Sequence, residues 1–591
     1  MHCHPSPSSS PSPSNSLNLI LVCCVSLVVP YNIHFLNIAT DLQYLDPSYL
    51  NASLAHSMIL SQSLPTEIIL EILAYLHLNS LASFVAVSRS AKLFVDANES
   101  TIYRNAAVVH GLISSEGTQP ADLRRKYTRR SLQGVNGWKS FCRRQISIKR
   151  AWKGKSPSSA RRLAYASLHK QDVHRIKVDE WAGIIITTYR NGGLAVADIA
   201  TNRILWSLPS SHVIPHAHCE YDKGFLIFNR AGRRKEVWRL VERQNQTVKP
   251  LSFSPPDQTQ IAASNEAATE HQSSYPKGHF VPYSLIATPT TTYAFRFVYP
   301  ALFAATETNF FVYDIPGGKL VQTITANPPE SLIHLHYVDI SERHLFLCGW
   351  PNIVVFSRET GKSILKVPSY QLQYSNKIYA ISKQAHPIAG STLLHHDVVT
   401  LPTESTLPPQ VVHLADTFTA VHVSACGRHL AALLSSSRLL IIPYFERLIT
   451  GEVEIQNVTL DIELGSRSRI SRYLAFENER VAVVTDTGLF VVHWDLEKPP
   501  VICRAPIFGV MSALPEVTCL QMTDTGLYLT WKHPITTEVN EEDFERLLDE
   551  EVSYTIRDDF AQLLVQPNAE PDDIVESHDS TVCMIDFVVT P

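Results

Sequence analysis

The chain of 591 residues contains no Cys-x-x-Cys pair and no Cys/His spacing of the zinc-binding kind, and its 10 cysteines are scattered, with Cys23-Cys24 the one adjacent pair. That pattern excludes a zinc-ribbon or disulfide-stapled scaffold and suits reduced thiols in the cytosol or nucleus. Also missing are a Gly-rich phosphate loop, a Gly-x-Ser-x-Gly elbow and a His-Glu-x-x-His pair. The pairs His216/His218, His334/His336 and His395/His396 have no visible third ligand, so neither a metal nor a cofactor is expected, and no catalytic residue is assigned. Charge is sparse, at 18% of residues with a net of −5, which argues against a chain built to bind nucleic acid. The long apolar run is Leu17–Val29, LNLILVCCVSLVV, which is too short to span a bilayer comfortably and has no Lys or Arg before it. No stable membrane insertion is expected, and residues 1–57, opening on a Ser/Pro tract, read as a disordered tail.

Organised sequence begins at 58–113. Pro65 suits the first position of a helix and Glu67 suits its first turn. Ile68, Ile69, Ile72, Leu73 and Leu76 then recur at helical spacing. Asn79 or Ser80 can cap a second helix carrying Leu81, Phe84, Val85 and Val87. Ser88 or Ser90 can cap a third carrying Leu93, Phe94 and Ala97. Three short helices of this size cannot bury all their apolar side chains among themselves.

The run resembles an F-box, through Leu64-Pro65, Glu67-Ile68, Ile72, Tyr75-Leu76, Leu81, Phe84, Val87-Ser88, Leu93, Asp96 and the aromatic Tyr103. It departs from that pattern at His77-Leu78-Asn79 and in lacking a Trp after the second helix. The resemblance implies that Leu64, Pro65, Ile68, Ile72, Leu76 and Leu81 dock the Skp-type adaptor of a cullin-RING ubiquitin ligase.

Residues 114–170 change character. From Arg124 to Arg162 there is no Asp or Glu, while Trp138, Phe141, Ile146, Ile148 and Trp152 interleave with the cations. This reads as basic linker helices that pack their aromatics and show their charge to solvent. A nuclear-localisation patch or a site for an acidic partner is the rival reading.

From 171 to 591 the texture is all-β. Val173–Val178, Gly183–Tyr189, Leu194–Asp198 and Ile204–Leu208 read as four strands, with Arg190-Asn-Gly-Gly as a tight turn. The arrangement returns from Tyr293 and from Leu332, with further starts near Pro215, Thr417, Ser471 and Thr518. Self-similarity at about 40 residues marks a β-propeller of about seven WD-like blades. Thr581–Val589 is a candidate closing strand. Segments 242–283, 368–409 and 538–576 read as insertions, the last strongly acidic.

The expected fold is thus a small all-α F-box followed by an all-β propeller. The expected function is that of the non-catalytic substrate receptor of an SCF-type ligase, cytoplasmic or nuclear, with an unidentified target protein held by the propeller. Arg190, Arg230, Arg233, Arg234 and Trp350, on turns between second and third strands, are the candidate target contacts. A propeller scaffold outside any ligase is the alternative.

Overall fold

A computed structural model describes residues 64–114, 118–163, 172–243, 253–271, 277–326, 334–371, 373–401, 416–465, 473–477, 479–510, 513–532 and 580–588. The tail 1–57 and the acidic segment 538–576 lie outside the described residues. The chain divides into two compact units, residues 1–126 with 132–146, and residues 127–131 with 147–591.

The first unit is helical: α1 Thr66–Ala74, α2 Leu78–Val87, α3 Arg89–Ala97, α4 Glu99–Val109 and α5 Pro120–Lys126, followed by α6 Trp138–Trp152, within which the unit boundary falls. Residues 64–113 thus hold four helices, not three. Pro65 precedes α1 in an extended conformation, its carbonyl accepting from the Ile68 and Ile69 N–H groups at 3.1 and 3.2 Å. The second helix starts ahead of Asn79 and Ser80, because the Leu78 N–H donates to His110 Nε2 at 3.0 Å, a long-range cap that no local pattern announces. Ser88 does cap α3, its Oγ accepting from the Ala91 N–H at 3.1 Å. The core joins Ile69 and Leu73 of α1 with Leu81, Val95, Ile102, Tyr103 and Ala106.

Among the described residues the second unit holds thirty strands. Four separate sheets follow one plan, a meander of neighbouring antiparallel strands. They are β2 Val173–Asp179 to β5 Ile204–Leu208, β6 Cys219–Asp222 to β9 Phe280–Ala287, β10 Ala294–Val298 to β13 Lys319–Thr325, and β14 His334–Ile340 to β17 Ser363–Pro368. In the first of them Gly192 and Gly193, both with φ near +90°, make the turn from β3 Ile184–Tyr189 to β4 Leu194–Asp198.

A fifth four-stranded sheet joins distant parts of the chain. Its order is β1 Ser159–Leu163, β30 Thr581–Asp586, β29 Gly526–Trp531 and β28 Leu520–Met522. Thr581–Asp586 is therefore a closing strand. Its outer partner comes from within the stretch read as a basic linker.

The remaining strands form one sheet of ten, which corrects the expectation of about seven separate blades to five four-stranded sheets and this larger one. It contains two meanders, β20 Phe418–Val423 to β23 Leu460–Glu463 and β24 Tyr473–Glu477 to β27 Val501–Ala505. Between them lies the hairpin of β18 Ile378–His386 and β19 Leu394–Leu401, whose strands pair with β23 and β27 respectively. The hairpin supplies hydrogen-bond partners to two outer edges that would otherwise stay open, and it occupies the segment read as the 368–409 insertion. The 242–283 insertion likewise holds helix α7, Gln258–Glu270, whose Ala263 and Ala267 pack with Trp206, Trp238 and Phe280.

First strands adjoin in ring order: β2 to β6, then β10, β14, β20, β24, β28 and back to β2. The architecture is that of a propeller, with these strands around its axis. Neighbouring meanders pack on one another through apolar side chains, as in the cluster of Phe346, Val355, Phe418 and Leu440.

Candidate functional site

Each unit presents one candidate surface. In the helical unit the apolar stripe of α1 divides. Ile69 and Leu73, four apart on one face, are buried, whereas Ile68 is 46% exposed, Pro65 is exposed, and Leu64, Ile72 and Leu76 are half-buried. Leu81 is fully buried in the unit's own core, so it supports the surface from below and does not contribute to it. Tyr75 at 63%, Val87 at 57% and Leu93 at 59% are further exposed apolar side chains on α2, α3 and the turn after α1. Four large apolar side chains of this small unit, Ile68, Tyr75, Val87 and Leu93, are thus between 46% and 63% exposed, the kind of apolar surface that a partner can cover.

In the propeller a cavity of about 1790 Å³ runs along the axis, lined by the first strand of every meander. In β2, VHRIKVD, the cations fall on alternate residues, which places Arg175 and Lys177 on the same inward side. Lys177 Nζ lies 3.0 Å from Glu220 Oε2, and Arg296 spans from Glu220, at 3.2 Å, to Asp339, at 3.3 Å. His422 Nδ1 is 3.2 Å from the other Asp339 oxygen, which also accepts from the Val423 N–H at 3.0 Å. Burial opposes ionisation of Glu220 and Asp339. The cations around them outweigh it, and both carboxyls are held below their ordinary range. His218, 3.0 Å from Glu220, is pushed down to about 4 by burial and stands neutral at pH 7. Four strands, β2, β6, β10 and β14, are thereby laced by a continuous belt of charge pairs, and β20 joins it through the hydrogen bonds of His422 and the Val423 N–H to Asp339.

Arg175 stands apart from this belt. Its Nη1 donates to the Thr518 carbonyl and to the Tyr473 hydroxyl at 3.4 Å. Its Nε is buried without a hydrogen-bond partner, and among the described residues no carboxylate lies within ion-pairing distance of it.

Of the side chains expected to meet a target, Trp350 is half-buried and lines the cavity. The four arginines lie elsewhere, Arg190 and Arg233 on turns between second and third strands, and Arg230 and Arg234 at the strand ends that flank the second of those turns. Arg190 pairs with Glu516 at 3.2 Å. Arg230 is engaged by Asp257 at 2.6 Å and by buried Glu236 at 3.4 Å. Arg233 donates to the Pro289 carbonyl at 3.1 Å, and Arg234 is an exposed residue of β8, Arg234–Leu240. Two of the expected anion grips are thus spent inside the chain. His334 and His336 both line the cavity, and among the described residues no group of three or more His, Cys, Asp or Glu is placed to hold a metal ion. No described helix is long and apolar enough to cross a membrane.

Residues 61–103 match the F-box domain family. No curated protein matches the chain. Among solved structures it is similar to that of U3-55K, with a TM-score of 0.39 at 8% identity, covering 72% of this chain and 98% of that one. It is also similar to the computationally designed Ika8 protein, with a TM-score of 0.34 at 13% identity over 61% of this chain and 93% of that one. The β-propeller domain of Myceliophteria thermophila Cps50 (Swd1) gives a TM-score of 0.36 at 10% identity, over 62% of this chain and 96% of that one.

Proposed function

We propose that this protein is a substrate receptor of an SCF-type cullin-RING ubiquitin ligase, its F-box docking a Skp-type adaptor and its WD-like propeller holding a target protein. The observation that carries the reading is the F-box match at residues 61–103, on helices that leave Pro65 and Ile68 in solvent beside half-buried Leu64, Ile72 and Leu76. In this role the chain performs no covalent chemistry. It raises the local concentration of a target lysine near a charged conjugating enzyme.

Apolar anchors at the centre of an interface cost about 2 kcal/mol or more when truncated, roughly thirtyfold in affinity. The test is binding of the full chain to purified Skp-type adaptor, with Ile68→Ala and Ile72→Ala beside the parent. The expected result is tight binding by the parent and a loss of that order in each variant, with unfolding curves unchanged for the exposed Ile68 site. A folded parent that does not bind the adaptor would overturn the reading.

A further inference from the structure

The charges lining the axial cavity are unevenly placed along it: Asp222, Glu342 and Glu477 stand at or beyond the late ends of β6, β14 and β24, away from the end at which β2 begins. Lys177 and Arg296 contribute two cations to the belt, and Glu220 and Asp339 contribute two carboxylates against them. These four cancel. Arg175, two residues before Lys177 on the same side of β2, is left over, a guanidinium in a cavity wall with no acid of the described residues within ion-pairing distance. Burying a charge without a counter-charge costs several kcal/mol, so such a group is retained where something outside the chain completes it.

The surroundings define what fits. Arg175 is fixed from one side by the Thr518 carbonyl and the Tyr473 hydroxyl, and its guanidinium carbon lies 5.8 Å from the centre of the Tyr473 ring. The groups that act on Arg175 from the neighbouring strands are the side chains of Tyr337, Tyr473, Cys219 and Cys519 and the neutral His218, none of them an acid. The belt closes the level below, where Lys177 meets Glu220. A ligand entering from the end at which β2 begins therefore meets one uncompensated positive charge. A phosphoryl group, with a charge of about −1.5 to −2, would be left undercompensated by that single cation, whereas one carboxylate matches it.

We infer that Arg175 is the anchor for a carboxylate of a bound polypeptide, supplied either by an Asp or Glu side chain or by the free end of the chain. The inference rests on the propeller being the target-holding part of the receptor. It sharpens that reading to a class of contact, a carboxylate inserted into the axial cavity in place of a phosphorylated side chain gripped at the outer turns.

The test uses the full chain and arrays of random-sequence peptides in four matched sets: a neutral set with amidated ends, the same set with free carboxyl ends, an amidated set with one internal Glu, and an amidated set with one internal phosphoserine. The expected result is binding of the free-end set or the Glu set on the order of tenfold above the neutral set, the size of one charge-assisted hydrogen bond. Which of the two sets responds identifies the source of the carboxylate. That excess should vanish in Arg175→Gln and be partly kept in Arg175→Lys, with the unfolding midpoint of each variant read alongside. Three results would overturn the inference: no excess for either carboxylate set, an excess unchanged in a folded Arg175→Gln variant, or a phosphoserine set bound tenfold above both. Adaptor capture by the same preparation separates the outcomes, because its loss counts against the ligase reading alone, while intact capture without carboxylate selectivity counts against Arg175 alone.

Discussion

Glu477 ends strand β24 half-buried in the cavity wall, and burial, with Asp524 alongside, pushes its carboxyl up to about 7 against the opposing pull of Arg480 and Arg296. The folded chain therefore binds this proton more tightly than the unfolded chain does. Its contribution to stability is complete below the ordinary glutamate value of 4.5 and is lost as the pH rises through about 7. Glu477→Gln removes the ionisable group, so the variant should gain stability relative to the parent above pH 7 and lose that advantage near pH 4.5. Urea unfolding of both proteins across that range measures the difference, and a gap that does not change with pH would contradict the assignment. At this scale the sequence was a poor guide. The arginines on exposed turns looked available, yet Arg190 and Arg230 are held by Glu516 and Asp257, acids far away in the chain. The belt from Lys177 to His422 was invisible for the same reason, since each pair joins different first strands. One signal was present: single charges set among apolar residues in VHRIKVD, AFRFV and HLHYVDI, where an ordinary buried strand carries none.

Among the elements, α7 shows how a helix can hide in a segment read as a loop. Its sequence QTQIAASNEAATE buries Gln260, Ala263 and Ala267 on the face that meets the sheets, one polar and two small residues, so no apolar stripe announces it. What starts it is Asp257, whose carboxylate accepts from the Gln260 N–H at 3.0 Å and from Thr259 Oγ1 at 2.7 Å while also pairing with Arg230. These bonds outweigh partial burial and hold the carboxyl down at about 2. Replacing Asp257 by Ala should therefore cost about 1 to 2 kcal/mol, the price of a lost helix cap, and should expose the sheet surface under α7 to hydrogen exchange. A variant with unchanged exchange at Ala263 and Ala267 would show that packing alone holds the helix. By contrast, the four-strand units from Val173, Tyr293 and Leu332 were legible, because β-branched runs alternate with Gly, Asn and Asp turns. The β18–β19 hairpin was not, since its strands IYAISKQAH and LHHDVVTL are mostly half-exposed and only Tyr379, Ile381 and Val398 pack on the neighbouring core, while its pairing with β23 and β27 is made by backbone.

At the scale of the whole molecule, closure of the ring depends on strands from opposite ends of the second unit. β30 lies between β29 and β1, so its removal parts both at once. It buries Val582, Met584 and Ile585 almost completely, and Phe587 just beyond it stacks on Trp152 with ring centres 3.7 Å apart. Arg130 is tied to the same strand through Asp586, and near it Glu180 accepts from Thr523, Thr525 and Tyr528. Four large side chains at about 1.5 to 3 kcal/mol each amount to roughly 6 to 12 kcal/mol, which is comparable with the entire stability of an ordinary domain. A chain ending before Ser580 should consequently lose the propeller and, with it, the propeller's cooperative transition in urea. Its helical unit, whose core from Ile69 to Ala106 contains none of these residues, should keep its far-ultraviolet helix signal. Limited proteolysis distinguishes the outcomes: a protected fragment spanning Val173 to Pro368 in the truncated chain would mean that the four separate sheets stand without closure, whereas rapid cleavage throughout 147–579 would mean that the ring is stable only when β1, β29 and β30 complete it.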